Sequence, residues 1–435
     1  MKIRSIAAVA TISALALATA GCGSGGDTDS GAGGSGTLTY WASNQGTSLQ
    51  NDKEVLQPLL DKFEDESGVK VDLEVIGWND LQTRIQTAVT SGQAPDVVNI
   101  GNTWATSLQA TGAFLPYGDS EMEAIGGADK FVKTALDTGG AKGETVTSVP
   151  LYGLAYGLYY NKKMFADAGL TPPETWEDMV ASAKTLTAGD VTGLSLAAGS
   201  YTENAHFAFI NAAQNGAELF DDDGKPTFTS EGVVSGIKRY LDLMQSDKVA
   251  DVGNAQYDNA TKAVSDFANM KAAMIISQNN ADNSITAAGM TSDQYGVVPF
   301  PAPADGEKIA SFIAGINLSI FKNTKNKDAA LEFVKFMTSE DTQNAVGKPF
   351  ASLPVLEGVA PSFTDNAEEA ATFQEIYSTM SQPLPLVPAE DQFESTVGKA
   401  MNEMFATIAT GGTVSESDIK EALQTAQDQV TATMG

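Results

Sequence analysis

Hydrophobic positions along the chain switch between a spacing near two and a spacing near 3.6, and the switches outline its elements. A short β-rich run at 37–43 is followed by Leu56, Leu59, Leu60 and Phe63, which fall on one face of a helix. Val69, Val71, Leu73 and Val75 then alternate as in a strand buried on one side. Leu81, Ile85 and Ala88 predict a second helix ending near Gly92, and 96–100 a third strand. Strand, helix, strand, helix, strand is the order of a parallel sheet covered by helices. Such sheets bind ligands at the carboxyl ends of their strands.

A second α/β region is expected after Pro150. Thr175 is placed to cap a helix in which Trp176, Met179, Val180 and Ala183 repeat at helical spacing, so Trp176 reads as core, as does Trp41 inside the first strand. Another α/β stretch runs from 274–276 through 297–299. The strand 315–320 leads into a helix with Ala330, Phe333, Val334 and Met337 on one face. From about 361 the pattern is mostly helical, and no solenoid repeat is present.

The start of the chain follows neither spacing. Lys2 and Arg4 precede an apolar run from Ile6 to Ala18, shorter than the roughly 20 residues a permanent membrane helix needs. Cys22 closes it. This is the layout of an export signal at 1–21, with Cys22 as the lipid-bearing first residue of the mature chain. Residues 22–36, dominated by glycine and serine, form a polar tether. The mature protein is therefore expected on the outer face of a bacterial cell membrane, held by a lipid anchor.

Composition narrows the chemistry. Hydrophobic residues make up 42% of the 435, enough for a substantial core in two or three domains. With Cys22 lipidated no thiol is left for disulfides, so packing alone must hold the fold. The formal charge of −29 opposes nucleic acid as a partner. His206 is the only histidine, which excludes His-rich zinc sites. No H-E-x-x-H, G-x-S-x-G or Walker loop occurs, and the G-x-G-x-x-G match at 31–36 lies in the tether without a strand before it. Asp221, Asp222, Asp223 and Gly224 read as a turn, because Leu219 stands where a calcium loop needs its first ligand.

The segment 150–165, PLYGLAYGLYYNKKMF, continues through Ala168, Gly169 and Leu170 to Pro172, Pro173, Glu174, Thr175 and Trp176. With 91–98 (SGQAPDVV), 267–274 (FANMKAAM), 298–301 (VPFP) and Gly315, in that order and spacing, it resembles the extracellular solute-binding proteins of bacterial ABC importers. The likeness covers nearly all of 37–435 and is to the group that includes maltose-binding and other carbohydrate-binding lipoproteins. Tyr152 departs from it, a small residue being usual there. The resemblance implies an α/β, two-lobed periplasmic-binding-protein-like fold, with segments exchanged at a hinge and a mostly helical C-terminal part. It assigns 37–148 plus 312–350 to an N-terminal lobe and 149–311 plus 351–435 to a C-terminal lobe. Crossings are expected near 149–152, 301–311 and 349–353.

Position after a predicted strand, together with likeness to the family's ligand loops, nominates Ser43, Asn44 and Gln45, then Asn102, Thr103 and Trp104, then Gln278, Asn279 and Asn280. Asn280 stands where maltose-binding relatives have a stacking aromatic. Trp104, Phe312, Phe350 and Phe393 are the candidate replacements, with Glu394 beside the last. His206 reads equally as a structural residue or a contact, and Trp78 as an anchor or a contact. The function implied is capture of an oligosaccharide and its delivery to an ABC permease by a monomer without chemistry, cofactor or metal. Two rivals stay open: a surface glycoside hydrolase with carboxylates across the cleft, and a receptor of the same fold for a polyamine or other cation.

Overall fold

The computed structural model describes residues 36–434; the export segment 1–21, Cys22 and the tether through residue 35 lie outside them. Among the described residues the strands are β1 (Leu38–Ser43), β2 (Val71–Ile76), β3 (Val97–Gly101), β4 (Val149–Leu154), β5 (Tyr156–Asn161), β6 (Thr192–Ser195), β7 (Ala272–Gln278), β8 (Tyr295–Val298), β9 (Ser311–Phe312), β10 (Ala314–Ile320) and β11 (Ser381–Gln382). They form one sheet in the order β2-β1-β3-β10-β4, a second in the order β6-β7-β5-β8, and a short pair of β9 with β11. Each larger sheet is the centre of one lobe.

The alternation along β1 explains the first lobe. Leu38, Tyr40 and Ala42 pack with Leu56, Leu60 and Phe63 of the helix Leu49–Ser67 and with Phe333 of the helix Lys327–Met337. Val98 and Ile100 of β3 pack on the opposite face with Leu81, Ile85 and Ala88 of the helix Trp78–Ser91. β1 runs parallel to β2 and β3, whereas β10 runs antiparallel to β3 and β4. The carboxyl ends of β1, β2 and β3 therefore open on one edge.

In the second lobe every residue of β5 is buried, as both faces of a covered sheet require. The helix Tyr201–Gln214 packs on the helices Glu231–Gln245 and Glu390–Ala409, with Phe207 stacked on Tyr240 at 4.9 Å. Trp176 is core, as its spacing indicated: it is buried edge-on to Phe300 at 5.8 Å. The helices Ala367–Thr379, Glu390–Ala409 and Glu416–Thr433 complete the C-terminal part.

The lobe boundaries differ from those expected. β4 pairs with β10 in the first sheet, so the first crossing is at Ala155 rather than at 149–152. Pro150 looked like the start of a new region, yet β4 is an edge strand, where a missing N–H is tolerated. β9 pairs with β11 in the second lobe, which moves the second crossing to Ile313 and puts Phe312 with the C-terminal lobe. After the helix Glu340–Phe350, Ala351, Leu353 and Val355 join the second lobe's core, Leu356 and Val359 return to the first, and Phe363 joins the second again, so the third crossing extends past 353.

Candidate functional site

The three crossings meet at the hinge, and two asparagines help to hold them. Asn279, fully buried after β7, accepts from the Ala155 N–H at 2.8 Å and donates to the Ala351 carbonyl. Asn102 donates to the Ile313 carbonyl at 2.7 Å, and Tyr156 N–H donates to Ser311 Oγ at 2.9 Å. Gly153 and Leu353 exchange both backbone bonds at 2.8 Å. Asn279 is thus a clasp between the first and third crossings rather than a ligand residue, because its amide is fully engaged and out of reach.

On the N-terminal lobe the loop after β1 is tied down from within. Asp52, buried in the first turn of the helix Leu49–Ser67, accepts from Asn44 Nδ2 at 2.8 Å, Gln45 N–H at 2.6 Å and Gly46 N–H at 2.7 Å. Burial raises the pKa of Asp52, and these three donors pull it part of the way back. Behind the loop, Tyr40 donates to Asn99 Oδ1 at 2.7 Å, and Asn99 Nδ2 donates to Ser43 Oγ at 3.2 Å. Beside it, Trp78 starts the helix after β2 and Trp104 follows β3. Their rings stack at 4.6 Å with 25° between planes. Trp104 is covered, while Trp78 is 38% exposed and is the ring turned to solvent. Gly101 leaves room for the pair, since a Cβ there would sit 2.9 Å from Trp78 Cη2 and 3.4 Å from Trp104 Cδ2.

The C-terminal lobe brings carboxylates. Tyr156, at the head of β5, donates to Glu203 Oε2 at 2.7 Å, and its oxygen lies 2.9 Å from His206 Nδ1. His206 Nε2 is 3.1 Å from Glu394 Oε1. A phenol has one proton, so once it is given to Glu203 the Tyr156 oxygen must accept from His206 Nδ1–H. Burial raises Glu203, partly offset by His206 and by the Tyr156 bond. Glu390 and Asp391 open the helix that carries Glu394. Glu390 is 1% exposed and neither of its oxygens accepts a hydrogen bond. Burial first, then Glu394 and Asp391, push its pKa well above the usual glutamate range.

Contacts from lobe to lobe show that the cleft is shut. Thr106 Oγ1 donates to the Val387 carbonyl at 2.8 Å and the Lys142 N–H to the Leu386 carbonyl at 3.2 Å. Between them is a cavity of about 10 Å³, lined by residues that include Asn102, Thr103, Thr138, Leu384 and Glu390. That is room for one water, whereas small-molecule pockets run to about 300–1,000 Å³. A solute can enter only when the lobes part. A larger hollow of about 280 Å³ lies between the loop 170–174 and the helix Trp176–Leu186 and involves none of these residues.

The candidate aromatics sort differently from expectation. Phe393 is fully buried in the C-terminal core, 5.7 Å from Phe228, and Phe350 is buried in the N-terminal core, 5.9 Å from Tyr152. Neither can be a sugar platform, because the helical faces that carry them turn inward. Phe312 lies under His206 at 4.3 Å, inside the C-terminal lobe rather than across the cleft from it. Trp104 meets Trp78 instead of solvent. Thr103, Gln278 and Asn280 are half-buried at strand ends, and the fold makes no hydrogen bond with their side chains. The residues that sequence reasoning passed over are Tyr156, Glu203, Glu390 and Asp391. Tyr156 sat inside the most recognisable segment, and Glu390 and Asp391 looked like ordinary first-turn acids.

The family model described as bacterial extracellular solute-binding protein matches residues 46–344. The chain belongs to this family. This solute-binding protein is 25% identical to the diacetylchitobiose-binding protein of Streptomyces coelicolor over 344 residues, 77% of each chain. It is 27% identical to the multiple sugar-binding protein of Streptococcus mutans over 300 residues, 65% of this chain and 68% of the other. Its fold matches an ABC-transporter solute-binding protein of Thermotoga lettingae, solved with α-D-tagatose, at a TM-score of 0.78 and 22% identity over 92% of this chain and all of that one. The two-lobed α/β architecture is that of the maltose-binding group. Among the described residues no helix is long and apolar enough to cross a membrane.

Proposed function

We propose that this solute-binding protein captures an oligosaccharide between its lobes and presents the closed form to an ABC permease, with no chemistry of its own. The observation that carries the reading is the exposed face of Trp78, braced by Trp104, at strand ends near a cavity whose lining mixes the threonine hydroxyls, Asn102 and Glu390 with apolar Ile313, Leu384, Pro385 and Leu386. A pyranose offers a C–H face to such a ring and hydroxyls to such groups. The sugar ligands of the diacetylchitobiose-binding and multiple sugar-binding relatives point the same way. Lobe closure over the ligand is the signal, because a ligand shifts the open–closed balance only by binding the closed form better.

A hydrolase is the weaker reading. Glu203, Glu390, Asp391 and Glu394 all belong to one lobe, and Asp52 on the other is held by three donors, so it is not free to face them across a scissile bond. The chain acts as a monomer on the outer membrane face, held through a lipid on Cys22. Calorimetry and thermal shift against α- and β-linked oligosaccharides, with polyamines alongside, test the reading. Binding of a saccharide with a more compact scattering profile and no cleaved product is expected; a hydrolysed product, or binding of polyamines alone, overturns it. Cys22→Ala should release the protein from membranes.

A further inference from the structure

On the C-terminal lobe Glu203 and Glu394 flank the single imidazole, His206, and Glu390 and Asp391 lie on the helix that carries Glu394, with Glu390 lining the cavity. Glu394 has His206, and Glu203 has Tyr156. Among the described residues no Lys or Arg forms an ion pair with any of the four; His206 is the sole basic partner. Glu390 has no donor at all, and Glu394 beside it can bond it only through a shared proton. Asp391 Oδ1 is buried in the same condition.

Acids in a first helical turn commonly answer the helix dipole, at about 0.3–1 kcal/mol on a surface. The helix Glu416–Thr433 is built that way: Asp418 is exposed, accepts from Ser415 at 2.7 Å, and is held below the usual aspartate range. Glu390 is not built that way. Burying a carboxylate without a partner costs several kcal/mol, more than the dipole returns. A surface acid would have served the helix equally well, so the buried one points to a ligand.

The ligand's chemistry follows from what the cluster lacks. Among the described residues no group of three His, Cys, Asp or Glu is arranged to hold a metal ion. A neutral hydroxyl donates one hydrogen bond and leaves the negative charges facing one another. A primary ammonium brings three donors and a positive charge.

We propose that the captured saccharide carries a protonated primary amine, and that Glu390, flanked by Asp391 and Glu394, is the subsite that takes it. The proposal rests on the oligosaccharide reading above and narrows it to basic amino sugars. Thr103, which shares the cavity with Glu390 and whose side chain has no partner among the described residues, supplies a hydroxyl beside the amine. In the shut cleft a proton stands in for the amine, since burial and the neighbouring carboxylates favour the acid form of Glu390. The groups facing it are Asp391 and Glu394 on its own helix and Thr103, Thr106 and Thr138 across the cavity, while His206, Tyr156 and Glu203 connect to it through Glu394. An arriving ammonium sends that proton to solvent.

The test is calorimetry of the full chain with matched triplets: glucosamine, N-acetylglucosamine and glucose, and the same three substituents on α- and β-linked disaccharides. The amine forms are expected to bind at least about tenfold tighter than their acetylated and hydroxyl counterparts at neutral pH, and to release protons to the buffer. Glu390→Gln should bring that ratio to within about threefold of one. Thermal unfolding checks that the variant folds, and Asp391→Asn, which should also lower the ratio, is the second variant. Equal or tighter binding of the acetylated or hydroxyl forms, or a preference that survives Glu390→Gln, overturns the amine subsite and leaves the saccharide reading standing. Failure of every member to bind overturns both.

Discussion

The N-terminal lobe meets the cleft with polar groups already bonded at home, whereas the C-terminal lobe meets it with carboxylates that lack partners. Asp52 clamps the loop at Asn44, Gln45 and Gly46, and Asn99 links Tyr40 to Ser43. Across from them Glu390 and one oxygen of Asp391 have nothing. A preorganised face loses little entropy when a ligand arrives and favours neither open nor closed state by itself. A face with desolvated, unpaired charge is content in water and costly when shut, until a ligand supplies the missing partner. The contrast assigns shape to one lobe and the closing switch to the other.

The strongest way to break this contrast is to loosen the preorganised side. Asp52→Ala removes one acceptor group for three donors, and each charge-assisted bond is worth about 1.5–3 kcal/mol before the side chains relax. Denaturant unfolding should show a loss of about 3 kcal/mol, with weaker binding of every ligand rather than of one class. A loss of binding confined to cationic ligands would mean that Asp52 belongs with Glu390 after all.

The hinge comes next in size. Asn279→Ala leaves the Ala155 N–H and the Ala351 carbonyl without their buried partners, a cost of about 2 kcal/mol. Because it joins the first and third crossings, the substitution should also widen the distribution of lobe angles seen by scattering. Unfolding alone, with lobe closure unchanged, would demote it to ordinary packing.

Periodicity made the two lobes legible, since Leu38 to Ala42, Leu56 to Phe63 and Ala330 to Met337 can bury their apolar faces only against a covered sheet. It misplaced the first crossing because Pro150 looks the same at the edge of one sheet as at the start of another. The site was harder to see for a different reason. An amide after a strand has the same one-letter signature whether it meets a sugar or a backbone, and only the fold shows Asn279 clasping two crossings. Phe350 and Phe393 were candidates only as aromatics to replace the one missing at Asn280, and the fold turns both inward, while Glu390 stayed hidden because nothing in a sequence distinguishes a buried first-turn acid from an exposed one.

The C-terminal lobe repeats its habit away from the cleft. Glu369, buried with Oε1 unpartnered, is pushed up to about 8 by burial and by Asp282. An acid whose folded pKa exceeds its unfolded one keeps its proton longer in the native state. Its contribution is therefore most favourable below the unfolded value near 4.5 and is lost as pH climbs to about 8. Stability should fall across that window by at most about 1.4 kcal/mol per pH unit, and Glu369→Gln should flatten the slope. A slope unchanged in the variant would move the effect to other acids.

The smallest expected effect probes the aromatic platform without touching a ring. In Gly101→Ala the new Cβ meets Trp78 Cη2 at 2.9 Å, closer than real side-chain contacts allow, and Trp104 at 3.4 Å. The ring edge must shift by a few tenths of an ångström, which loosens the 4.6 Å stack while leaving β3 in register. Stability should drop by about 1 kcal/mol, the cost of modest overpacking. Saccharide affinity should fall by about three- to tenfold, because part of the stacking energy with the ligand depends on how rigidly Trp78 is held. Tryptophan fluorescence reports the stack directly, so an altered spectrum with undiminished affinity would show that the ligand binds clear of Trp78 and that the N-terminal lobe contributes its shape through polar groups alone.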